Sequence, residues 1–144
     1  MAPRVSQSPL PPFPVRAVAG LALIVAVPAR RLPLRWLLAA VSTLRCLPPA
    51  SSQFVAMVDR AVRAARPTWW PGRIACMEIS LATLLAVALC GRRAHWVFGS
   101  RPLPNEAHAW VQTADGQPFG LDDDDPVRPW VAVSITPHLT TTQR

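Results

Sequence analysis

The pattern of apolar and polar positions changes near Gly91: helical spacing dominates before it and alternation after it. Ala17–Val27, "AVAGLALIVAV", is apolar between Arg16 and Pro28. It is about half the ~20 residues that span a bilayer, so no integral membrane span is expected. A signal-peptide core is the competing reading, but "PARRLPLR" follows, basic where small residues would be needed. A buried or interfacial helix fits better. Leu34–Leu44, "LRWLLAAVSTL", predicts a helix opened near Pro33 and closed before Pro48–Pro49. Ser52 is placed to cap the next helix, Gln53–Arg66. There Phe54, Val58, Ala61, Val62 and Ala65 form the apolar face, Asp59, Arg60 and Arg63 lie elsewhere, and Pro67 ends it. "TWWPGR", Thr68–Arg73, is a turn-rich connector. Cys76–Cys90 predicts a helix apolar on most sides, hence buried, with Gly91 as its left-handed stop.

Beyond Gly91, Ala94–Gly99 and Ala107–Thr113 read as strands. Ala114–Asp115–Gly116 carries the hairpin signal, and Gln117–Leu121 is the return strand, weakened by Pro118. Asp122–Asp125 is an acidic loop and Val131–Ile135 a last strand. Helices followed by a small antiparallel sheet predict an α+β fold.

Composition narrows the function. With 144 residues and 51% apolar side chains, one domain with a real core is expected. Residues 1–14 and 137–144 read as flexible tails, the first rich in Pro, leaving 15–136 as the domain. The net charge is +7 and every basic side chain is Arg. These are scattered, in pairs at most, without a basic stripe or recognition motif, so no nucleic-acid partner is expected. Three Cys without a CxxC argue against a disulfide framework or a zinc site and for free thiols in a cytoplasmic protein.

One thiol is placed for chemistry. A thiol attacks as thiolate, and a helix N-terminus favours that charge. Cys76 falls in the first turn of its predicted helix. His108 sits on a strand that can cross that helix end and serve as base. A third polar group must hold the imidazole. The return strand brings Asp122 or Asp123 alongside His108, while Asp115, at the hairpin tip, is too far. The ordinary alternatives are a small buried hydrophobe for Cys76 and a structural role for His108. His95 reads as packing or surface, Cys90 as inert at a helix C-terminus, and Cys46, between Leu44 and Leu47, as core. Four consecutive Asp lack the spacing of a calcium loop.

"ACMEISLATLLAVALCGRRAHWVFG" followed by "AHAWVQTADGQPFG" resembles the transglutaminase-like leader peptidases of lasso-peptide biosynthesis, the peptidase half of the B proteins, also described as microcin-processing proteins. The resemblance covers about Val15–Thr136. It implies a transglutaminase-like, papain-like fold and a cysteine peptidase that removes the leader from a ribosomally made precursor peptide. Carried over, Cys76 is the nucleophile, His108 the general base and acid, and Asp122 the third member, with Asp123 one residue away and Leu121 in the other plausible alignment. The implied partners are the precursor, a PqqD-like leader-recognition protein, for which there is no room before residue 15, and an asparagine-synthetase-like lasso cyclase. No metal or cofactor is implied. Many relatives have Glu where Gln112 stands. Glu78 fits the family form with Glu two residues after the Cys. Two residues do not share a helix face, so Glu78 is expected to serve the helix dipole rather than act as base. Leu121 and the altered acidic loop motivate one alternative, a catalytically degenerate scaffold for the cyclase or precursor; Ala17–Val27 and its Arg flanks motivate another, a small membrane-associated protein.

Overall fold

The computed structural model describes residues 9–68, 76–102, 105–121 and 129–137. Four helices precede a four-stranded antiparallel sheet, an α+β fold. Helix α1 (Phe13–Ala29) has Pro14 in its first turn, where a missing N–H costs nothing, and Pro28 in its last. It therefore takes in residues 13–14, which the Pro content had assigned to the tail. Helix α2 (Leu34–Ser42) tightens into a 3-10 turn, Thr43–Cys46. That turn buries none of its residues, so Cys46 is exposed rather than in the core.

Helix α3 (Ser52–Ala65) is capped by Ser51, one residue earlier than predicted. Ser51 has the extended backbone of an N-cap, and its Oγ accepts from the Phe54 amide at 3.2 Å. Helix α4 (Cys76–Leu89) is buried over most of its surface. It stops in a Schellman turn. Gly91 takes φ 75°, its amide bonds the Ala88 carbonyl, and the Arg92 amide bonds that of Val87 at 3.2 Å.

The strands are β1 (His95–Arg101), β2 (Glu106–Gln112), β3 (Pro118–Phe119) and β4 (Val131–Thr136), in the order β3-β2-β1-β4. Gly116, at φ 92°, turns the β2–β3 hairpin, closed by the Thr113 amide on the Gln117 carbonyl at 3.0 Å. Pro118 cannot donate to the ladder, and β3 pairs only with Val111 and Gln112. The central β1 places Trp96 against α4, where its Nε1 donates to Ser80 Oγ at 2.9 Å. Trp96 and Val111 join Val55, Val58, Val62, Leu81, Leu84 and Val87 in one core. Truncating a leucine buried this deeply costs about 2–5 kcal/mol.

Candidate active site

Cys76, Ile79 and Ser80 stand at helical spacing on one face of α4 and line one cavity. Ser80 is fixed from both sides: it donates to the Met77 carbonyl at 3.1 Å and accepts from Trp96. The catalytic-candidate turn is thereby pinned to the central strand. Glu78 is buried in the same turn and pairs with Arg30 at 3.3 Å, at the end of α1. A carboxylate there complements the helix N-terminus. It is absent from the cavity lining, in keeping with a dipole partner rather than a base.

His108 lies on β2 directly opposite Gly99 of β1. Its Nε2 is 2.7 Å from the Gly120 carbonyl. A carbonyl can only accept, so Nε2 carries the proton, and in the neutral ring the lone pair is on Nδ1. Two tryptophans flank the imidazole: Trp110 nearly parallel at 6.3 Å and Trp130 tilted at 5.2 Å between centroids. Arg101 in turn covers Trp130 at 4.6 Å. The missing side chain of Gly99 is part of this construction. A Cβ there would collide with the Trp110 ring and lie 2.6 Å from the Val131 carbonyl.

The cavity holds about 160 Å³ between α3, α4 and the edge of β2 at His108 and Ala109. Because β3 is so short, that edge is not paired by it. Phe119 and Gly120 form the remaining wall. Pockets that enclose a small molecule are roughly 300–1,000 Å³, so this cleft suits part of a longer chain better. From α3 come Asp59 and Arg63, one turn apart on one side of the helix, and Arg66 follows just after its end. Asp59 takes Arg63 Nε at 2.9 Å and the Thr83 hydroxyl at 3.4 Å, a charged wall facing the thiol side of the cleft.

A family model described as the transglutaminase-like superfamily matches residues 18–134, taking in both Cys76 and His108. The chain belongs to that superfamily. The superfamily includes cysteine peptidases. Comparison with curated proteins and with solved structures found no match.

Of the predicted site residues, the transglutaminase-like domain brings Cys76 and His108 to one cavity. Asp122 and Asp123 lie outside the described residues. Among the described residues the His108 ring meets a backbone oxygen, that of Gly120 at φ 96°. Asp115 is at the hairpin tip, bonded to the Thr113 hydroxyl and 3.4 Å from Ser52 Oγ; the Thr113 bond holds its carboxyl below the usual range. His95 is buried and Cys90 exposed. Among the described residues no group of His, Cys, Asp and Glu is arranged to hold a metal. Sequence reasoning missed Asp59, Arg63 and Arg66, whose spacing was visible but whose neighbours were not. It also missed Trp130 and the Gly120 carbonyl.

Proposed function

We propose that this protein is a cysteine peptidase that removes the leader from a lasso-peptide precursor. The observation that carries the reading is one cavity lined by a Cys on α4 and a His whose tautomer is held by a carbonyl. The lasso assignment itself draws on the Cys76 and His-Ala-Trp-Val blocks of the sequence.

In this reading His108 Nδ1 takes the Cys76 proton and the thiolate attacks the scissile carbonyl. The C–N bond breaks as the imidazolium gives its proton to the departing amine, leaving the acyl group on sulfur. Water, deprotonated by His108, then cleaves the thioester to the free leader acid and restores the thiol. Gly120 keeps the ring oriented through the cycle. Asp122, two residues beyond Gly120, is the third member; Asp123 is the neighbouring choice. The precursor is delivered by a PqqD-like protein and passed to an asparagine-synthetase-like cyclase in the cytoplasm.

The test incubates the protein with precursor and leader-binding protein and follows cleavage by mass. Cys76→Ala is expected to slow cleavage by at least about a thousandfold. Wild-type rates in that variant would remove Cys76 from the mechanism. A second reading, a non-catalytic scaffold, is favoured by one observation: the His108 partner that is described is a carbonyl, not a carboxylate. A stable precursor complex that never cleaves would support it.

A further inference from the structure

Helix α1 is apolar apart from Arg16, and α4 is mostly apolar, yet only α4 is enclosed on most sides. The inner face of α1 (Ala19, Ala22, Leu23, Ala26) is buried against α3 and α4. Its outer face is bare. Phe13 is 78% exposed, Leu21 52%, Ile24 72% and Val25 50%. Ala17 and Pro28 are exposed as well. Positions 13, 17, 21, 24 and 28 recur at helical spacing, so these residues form one stripe. After the helix, Leu32, Leu34 and Trp36 continue the exposed apolar run, Trp36 at 62%.

Charge decides what such a surface can meet. Arg16 within α1, and Arg31 and Arg35 after it in the chain, are exposed, and Arg30 at the end of α1 holds Glu78. No Asp or Glu occurs before Asp59. A second copy docking by the same face would set arginine against arginine with no carboxylate to compensate. A surface with an apolar interior and phosphate at its rim satisfies both parts. Among the described residues no helix is long and apolar enough to cross a membrane, and the inner face of α1 is committed to the core. The helix would therefore lie flat, with Trp36 at headgroup level.

We propose that the outer face of α1, with Arg16, Arg31, Arg35 and Trp36, docks the protein on an anionic lipid surface. The proposal uses no residue of the cavity and stands whether or not Cys76 is a nucleophile. The full chain is mixed with sedimentable vesicles of phosphatidylcholine alone, or of three parts phosphatidylcholine to one part phosphatidylglycerol. It is expected to pellet with the anionic vesicles and not the neutral ones, and to be released by salt. Ile24→Glu lowers the partition coefficient at least about tenfold. Arg31→Gln and Arg35→Gln each lower it about fivefold. All three residues are exposed, and unchanged thermal unfolding confirms that each variant folds. Absence of binding to anionic vesicles overturns the proposal, as does binding that none of the three variants weakens. A dimer in solution that Ile24→Glu dissolves, without vesicle binding, assigns the face to a second copy instead.

Discussion

The two described histidines of the sheet make the same bond in different settings. His95 on β1 and His108 on β2 each place one ring nitrogen 2.7 Å from a backbone carbonyl, Pro137 and Gly120 respectively. His95 is buried, and its second nitrogen, Nε2, has no hydrogen-bond partner among the described residues. Burial pushes its pKa below the ordinary 6.5; the Pro137 bond opposes this and the Arg93 charge adds to it. His108 is half-buried and borders the cavity that Cys76 also lines. A carbonyl bond orients a ring in either case. What separates packing from chemistry is whether the other nitrogen can reach a reacting group.

The sharpest way to break this contrast is to remove each ring. His108→Ala is expected to lower precursor cleavage about 10²–10⁴-fold with little change in unfolding. His95→Ala is expected to cost stability, about 1–3 kcal/mol, while the folded fraction cleaves at close to the wild-type rate. Urea unfolding and cleavage kinetics on both variants check this, and exchanged effects would refute the contrast. Next in size is Gly99→Ala. A methyl group there has no room beside Trp110 and the Val131 carbonyl, so it should destabilise by about 1–3 kcal/mol and impair cleavage together. Wild-type stability would show that the Trp110 ring is not held as described.

Two smaller effects depend on pH. The folded state keeps His95 neutral, so the unfolded chain takes up its proton first as pH falls. The stability due to that neutral ring is complete above about pH 6.5 and is lost as pH drops toward the lowered folded-state value. His95→Gln should flatten that part of the stability profile. The smallest effect belongs to Asp115. Its carboxyl is held down by the Thr113 hydroxyl, so its contribution exists above the unfolded carboxylate pKa of about 3.9 and disappears in stronger acid. Asp115→Asn should alter unfolding only slightly at neutral pH and reduce its acid sensitivity. A loss as large as that of Gly99→Ala would mean the hairpin tip carries more than a turn.

Local chemistry was legible in the sequence; proximity between distant segments was not. The Gly91 stop and the Asp115–Gly116 turn rest on the conformational demands of a few adjacent residues, and both appear as read. Ser51 and Ser52 are adjacent, and either hydroxyl suits a cap, so the pattern alone could not choose. Cys46 has apolar neighbours, but a tight 3-10 turn leaves it outside. The charged wall of the cleft was invisible because the pattern shows only that Asp59 and Arg63 lie off the apolar face of their helix. They become site residues only when α4 and β2 are brought up beside them. A backbone oxygen leaves no mark in a sequence, so the Gly120 carbonyl beside His108 was not legible there.

The most direct test of the Cys76–His108 pairing needs no substrate. The protein carries three thiols, and Cys46 and Cys90 are exposed while Cys76 is only partly so. Exposure alone therefore ranks Cys76 last. Site-resolved mass spectrometry of iodoacetamide alkylation near neutral pH compares all three in one sample. If His108 activates Cys76, Cys76 reacts fastest, and His108→Ala removes that lead while Cys46 and Cys90 keep their rates. If Cys76 is instead slowest in the wild type and unaffected by His108→Ala, the two residues share a cavity without sharing a mechanism, and the peptidase reading fails.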